Sequence, residues 1–185
     1  LSVVTSLMAA YALVYFRIKY ASFFFWLIFI TLLVPLELRI MPSYLVMSKL
    51  GLVNSYIGLI RPISASAIAT FFFRQFYKSI PEELLEAAKL DGTGSWRFFV
   101  DFLIPLSKTM IAAVFIFMFV FGYNQYLWPL IMTTTEQYWT VVMGLKTMYG
   151  SISDRFAFVI MSMVPPIIII IFLQRWFIQG IFQNK

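Results

Sequence analysis

The sequence predicts an all-α fold, a polytopic bundle of membrane-spanning helices, and three observations carry that prediction. Of its 185 residues, 62% are hydrophobic and only 12% charged, against about 25% charged in an ordinary soluble domain. A soluble chain of this length has no core large enough to hide so much apolar surface. The apolar residues fall into stretches close to the roughly 20 that cross a bilayer as a helix, and Lys and Arg lie scattered between those stretches. We read residues 1–185 as a single transmembrane domain with about five spans.

Residues 1–16 carry no charge and end at Arg17 and Lys19. Residues 20–36 carry none either and end at Glu37 and Arg39. Residues 40–54 are mixed, with Pro42, Lys49 and Gly51, and read as a loop or interfacial helix. A third span covers about 55–73, interrupted by Arg61-Pro62. The uncharged range 109–135 holds the fourth, and 156–174 is the fifth, with Pro165-Pro166 inside it and Arg175 just after. Prolines break soluble helices. In a membrane bundle, neighbouring groups re-satisfy the freed carbonyls, so they predict kinks.

Orientation follows from the cations. Putting Arg17/Lys19, residues 74–108 and residues 175–185 on one side gives that side nine of the fourteen Lys and Arg, which marks it as cytoplasmic. Residue 1 is then outside. The chain opens at Leu1 within an apolar stretch, so we expect an N-terminal truncation with one more span upstream, and no cleaved signal peptide.

Composition excludes several chemistries. Without Cys there is no disulfide frame or thiolate metal site, and without His no imidazole base or His-ligated metal. The net charge of +6 is spread between spans and gives topology, not a nucleic-acid surface.

One polar insert, residues 79–105, stands out. Ser79 and Glu82 have capping-box spacing, and Glu82 and Glu83 fall where the helix dipole favours acids. Leu84, Leu85 and Ala88 share a side, while Ala87 and Ala88 are small enough to let another backbone approach. Asp91-Gly92 stops the helix. Ser95 is placed to cap a second short helix carrying Trp96, Phe98, Phe99 and Phe102, before Pro105. By residues alone, an interfacial helix pair that merely links two spans is as good a reading as a docking site.

At these residues the chain resembles the permease subunits of binding-protein-dependent ABC importers. Their signature is Glu-Ala-Ala, three residues, Gly, nine residues, Ile, one residue, Leu-Pro. Here Glu86-Ala87-Ala88, Gly92, Phe102 and Ile104-Pro105 fall at those spacings, with Phe102 in place of Ile and Ile104 in place of Leu. The segments FFFRQFYKSIPEELLEAAKLDG, FGYNQYLWPL and PPIIIIIFLQRWFIQG extend the likeness to the carbohydrate-type permeases, especially those of glycerol-3-phosphate importers.

The resemblance implies a type I ABC importer permease fold of six spans, with the first missing here, in a bacterial inner membrane. It implies a non-catalytic subunit that pairs with a homologous second permease, two ATP-binding subunits and an extracytoplasmic solute-binding protein. Glu86, Ala87, Ala88, Asp91, Gly92 and Pro105 would form the cytoplasmic coupling segment, inserted in a groove of one ATPase. This chain would hold no cofactor, ATP and Mg binding the ATPase. The sequence agrees in having no Gly-x-x-x-x-Gly-Lys-Ser/Thr phosphate loop. The implied solute is sn-glycerol-3-phosphate or a glycerophosphodiester, the alternative a sugar or oligosaccharide. A secondary carrier would need inverted repeats and mid-membrane ionisable residues, of which we see neither. A membrane scaffold would leave the Glu-Ala-Ala helix without an ATPase.

Candidate pathway residues are Glu37 and Arg39 at the outer end of the second span, Arg61, and Tyr123, Asn124, Gln125 and Trp128 in the fourth. Each has a plainer reading. Glu37 and Arg39 can be an interfacial ion pair, Arg61 can snorkel to the interface, and the polar residues of the fourth span can bridge helices. Tyr138, Trp139 and Tyr149 read as an outer aromatic belt.

Overall fold

The computed structural model describes residues 1–16 and 18–182, with side chains for all of these except 36 and 175–182. Arg17, Lys185 and the side chain of Arg175, part of the charge bias above, lie outside the described residues. All regular structure among the described residues is helical. It falls into two compact units, one of Leu1–Leu33, Ser66–Phe115 and the residues from Leu173, the other of Val34–Ala65 and Ile116–Phe172.

The first unit is built on α1 (Ser2–Tyr15), α2 (Ala21–Ile30, extended by a 3-10 turn at Thr31–Leu33) and α5 (Ala67–Lys78). α1 and α5 run parallel. Near their starts Ser6 Oγ donates to the Ser66 carbonyl at 3.2 Å, and near their ends the Tyr15 hydroxyl donates to the Tyr77 carbonyl at 3.4 Å. Ala10 and Ala69 are fully buried, and small residues let membrane helices approach closely. Burial on α5 recurs at Ala69, Thr70, Phe73, Arg74 and Tyr77, the three-and-four spacing of one helical face. α2 runs antiparallel to α5: Phe29 meets Phe71, while Phe25, nearer the start of α2, meets Phe71 and lies under Arg74 further along α5. The buried Arg74 guanidinium sits 3.8 Å from the Phe25 ring centre, an attraction that strengthens where water is excluded.

The second unit contains α3 (Leu36–Lys49), the short α4 (Tyr56–Ile60), α10 (Leu127–Met132), α11 (Val141–Thr147) and most of α12 (Ile152–Phe182). Residues 40–54, expected as a loop or interfacial helix, belong mostly to α3. Asn54 binds the connection that follows α10 through both polar side-chain atoms. Its Nδ2 donates to Thr134 Oγ1, and its Oδ1 accepts from the Thr134 backbone N–H, each at 2.7 Å.

Several expected spans differ from continuous helices. The predicted second span stops at Leu33, because Pro35 opens α3 as its N-cap residue. The predicted third span, 55–73, divides into α4 and α5. Pro62 has no N–H to donate back into α4, Ser64 Oγ bonds the Arg61 carbonyl at 2.7 Å, and Ser66 caps a new helix by accepting from the Ala69 N–H at 3.2 Å. Local side-chain bonds of this kind compete with helix continuation. The fourth predicted span divides into α9 (Lys108–Tyr123) and α10. Among the described residues one helix, Ile152–Gln174, is long and apolar enough to cross alone, and up to three crossings result when bent pairs count as one.

That long helix keeps Pro165 and Pro166 inside it. Pro166 cannot donate to the carbonyl four residues back, that of Ser162. The Tyr123 hydroxyl donates to that same carbonyl at 2.6 Å. A neighbouring side chain thus replaces the lost backbone donor, as a membrane interior demands. Within the chain, none of the most apolar window of Ile152–Gln174 is buried.

Candidate functional site

The polar insert lies in the first unit and comprises α6 (Glu82–Leu90), α7 (Ser95–Arg97), a π-helical stretch Phe98–Leu103 and α8 (Ile104–Leu106). The expected capping box does not form. Ser79 instead closes α5, its Oγ donating to the Phe76 carbonyl at 2.7 Å, and Pro81 is the residue at the N-cap of α6. With its hydroxyl committed one turn back, Ser79 cannot serve the next helix. Glu82 and Glu83 do occupy the first turn of α6, where their charge meets the positive end of the helix dipole.

The C-terminus of α6 follows the sequence reading. Gly92 has φ +71, its N–H donates to the Lys89 carbonyl at 3.0 Å, and the Thr93 N–H donates to the Ala88 carbonyl at 2.9 Å. These two bonds are the Schellman arrangement, which needs a left-handed residue at this position. It fixes the exit direction of the chain. Gly94, not Ser95, then precedes α7 as its N-cap residue, with no side-chain cap. Ser95 is the first helical residue, and its carbonyl accepts the Tyr11 hydroxyl at 2.7 Å.

The π-helical stretch widens the turn, the Ile104 N–H reaching back to the Phe99 carbonyl. It buries Phe98, Phe99 and Leu103 together. π-turns of this kind are rare. Pro105 follows at once, and at Ser107 the helix bends by 76° into α9. The buried Ser107 hydroxyl donates to the Leu103 carbonyl at 2.5 Å, the back-bonding that accompanies helix bends.

α6 presents two faces. Leu84 and Leu85 are half-buried and Ala88 is 3% exposed, whereas Glu82, Glu83, Glu86, Ala87 and Lys89 are exposed and Leu90 is 89% exposed. Of the two alanines expected to admit a partner, only Ala87 faces outward. Ala88 lines a partly open pocket of about 80 Å³ with Tyr11, Tyr15, Leu85, Thr93 and Phe98. Asp91, Gly92 and Pro105 are also exposed.

Behind the inward face stands an aromatic nest. The Tyr11 ring lies 4.8 Å from Phe99 and 5.5 Å from Tyr15, and Tyr15 lies 5.5 Å from Phe98 and 5.9 Å from Tyr77. Sequence reasoning passed over Tyr11 and Tyr15. The available signal was two tyrosines one helical turn apart in an apolar span, since a buried tyrosine hydroxyl requires a partner.

The pathway candidates all lie in the second unit. Glu37 and Arg39 are exposed in the first turn of α3, and Arg61 is exposed at the C-cap of α4. Tyr123 ends α9 and bonds Ser162 as described. Asn124 is exposed, with Nδ2 donating to the Val120 carbonyl at 2.9 Å. Gln125 is buried, and its carbonyl accepts from Thr140 Oγ1 at 3.5 Å. Trp128 is 3% exposed and its Nε1 donates to the Leu59 carbonyl at 3.1 Å. Three of these four polar groups therefore bond backbone carbonyls, and the fourth, Gln125, is buried within the unit's packing. Among the described residues no cluster of Asp and Glu could hold a metal.

An outward acidic helix with a fixed exit, between apolar helices, matches a known class. The family model for the binding-protein-dependent transport system inner membrane component matches residues 2–183, and the chain belongs to that family. It is 44% identical over 189 aligned positions to the sn-glycerol-3-phosphate transport system permease protein UgpE of Yersinia pestis bv. Antiqua, covering 99% of this chain and 67% of that protein. To the UgpE of Brucella melitensis biotype 1 it is 45% identical with the same coverage. Among solved structures it is similar to a chain of a bacterial ABC transporter involved in the import of the acidic polysaccharide alginate. That match has a TM-score of 0.81 and 25% identity, over 95% of this chain and 70% of the other. The fold is thus that of an all-α ABC importer permease, and the chain is an inner-membrane protein.

Proposed function

We propose that the chain is the non-catalytic permease subunit of an ATP-driven importer for sn-glycerol-3-phosphate, coupled to its motor through residues 79–105. The similarity to UgpE along 99% of the chain is the observation that carries the solute. The outward face of α6, with Glu86, Ala87 and Leu90, is the surface we assign to a groove on a partner ATPase, and Asp91 and Gly92 hold its end at a fixed angle. A second permease, a pair of ATPases that bind ATP and Mg, and a solute-binding protein complete the assembly. Arg61 is one candidate to meet the phosphate of the solute, its alternative being an anchor at the membrane interface.

Import of a carbohydrate is the second reading, favoured by the likeness to an alginate importer chain. ATP-driven uptake into proteoliposomes separates the two. The full-length chain is reconstituted with its sister permease, ATPase and binding protein, and labelled glycerol-3-phosphate is compared with maltose. Accumulation of the phosphate ester alone supports the first reading, and accumulation of the sugar alone replaces it with the second.

A further inference from the structure

The coupling segment is joined covalently to two membrane helices, α5 before it and α9 after it. α1 has no such link, since Tyr11 and Ser95 are 84 residues apart in sequence. Yet α1 meets the segment through a 2.7 Å hydrogen bond to a backbone carbonyl and through rings 4.8–5.5 Å apart. Tyr11 itself is 8% exposed. The covalent route to α9 passes through a π-helical stretch and a 76° bend, features that mark hinges in helices. The hydrogen bond from Tyr11 reaches the segment at Ser95, ahead of both, and its ring meets only the start of the π-helical stretch, at Phe99.

We infer that Tyr11 is a positioning residue that makes α1 move with the coupling segment, so that α1, α5 and α6 act as one rigid body during transport. Tyr15 supports it, bridging Phe98 of the segment and Tyr77 of α5. A hydrogen bond to a main-chain carbonyl suits this purpose, because its acceptor cannot change rotamer. The inference rests on the coupling role proposed above for residues 79–105.

The test is made in the full complex, reading ATP hydrolysed per solute imported. Tyr11→Phe keeps the ring and removes only the bond to Ser95. Hydrolysis should continue with the ATPases still attached, while the ratio of ATP to solute rises roughly fivefold, the size of one lost hydrogen bond. A merely structural role would lower assembly and leave that ratio alone, which overturns the inference. As a second measurement, Tyr11→Cys with Ser95→Cys is joined by a bismaleimide, in a sequence that has no cysteine of its own. If the two move together, the cross-linked complex retains uptake; loss of uptake on cross-linking overturns the inference. Glu86→Lys tests the reading beneath. If it disrupts ATPase docking while Tyr11→Phe leaves the ratio unchanged, only the role of Tyr11 fails. If Glu86→Lys changes neither docking nor uptake, the coupling reading fails and takes the inference with it.

Discussion

Residues 79–105 and residues 123–128 both place polar side chains within a strongly apolar chain, and they treat them in opposite ways. In the first, Glu82, Glu83, Glu86 and Asp91 are exposed, and the backbone closes its own bonds through Gly92 and Thr93. In the second, Tyr123 and Trp128 turn inward and spend their donors on the Ser162 and Leu59 carbonyls. The first region leaves its charge exposed, and the second uses its polarity to repair broken helices. A polar residue in an apolar sequence is therefore a candidate for partner contact only once the local backbone has been shown not to need it.

The largest expected effect lies in residues 79–105, the segment proposed to couple to an ATPase. Gly92→Pro cannot adopt φ +71, because the proline ring holds φ near −65°. It also deletes the donor to the Lys89 carbonyl. Uptake should fall by roughly an order of magnitude or more, consistent with a backbone cost of about 3 kcal/mol, while insertion into the membrane persists. Near-normal uptake would show that the angle of α6 does not matter.

In the second unit the corresponding weak point is packing. A Cβ at Gly58 would collide with the Leu52 carbonyl oxygen and come 2.7 Å from Met132 Cε. Gly58→Ala should destabilise the purified protein by about 1–3 kcal/mol, read as a lower thermal midpoint in detergent. An unchanged midpoint would contradict the close approach of these segments.

A smaller and sharper effect concerns Tyr123. Tyr123→Phe leaves the Ser162 carbonyl without its substitute donor and should cost about 1 kcal/mol. Pro166→Ala restores a backbone N–H to that carbonyl, so in its presence Tyr123→Phe should become nearly neutral. A double-mutant cycle on thermal stability measures this coupling. Equal losses with and without Pro166 would return Tyr123 to the list of pathway candidates.

The smallest effect is expected at Arg61. It is exposed at the end of a five-residue helix, and if it only anchors at the interface, Arg61→Ala should leave the apparent affinity for glycerol-3-phosphate within about twofold. A clear loss of affinity would assign it to the solute path and weaken the contrast between the two regions.

The sequence was most legible where one residue type has one use. Gly92 announced a left-handed helix end, and the face carrying Leu84, Leu85 and Ala88 followed from spacing alone. It was less legible where a hydroxyl had a choice of carbonyls. Ser79 and Ser95 had capping spacing, but Ser79 turned back to Phe76, and the start of α7 fell to Gly94. The interrupted spans were unclear for a related reason. Apolar composition gives the length of a membrane stretch but not its continuity, which Pro35, Pro62 and Ser66 decide through donors lost and caps gained. The pairing of Tyr123 with Pro166 was out of reach, since it joins residues far apart whose relation appears only after folding.

The bare stretch of α12 carries five consecutive isoleucines, Ile167–Ile171. On a helix a β-branched side chain is almost confined to one rotamer. Methionine at these positions would lose more freedom whenever something packed against it. With χ1 already set, these isoleucines have mainly χ2 freedom left to lose when something packs against them. A lipid chain or another helix can come and go along it at small entropic cost.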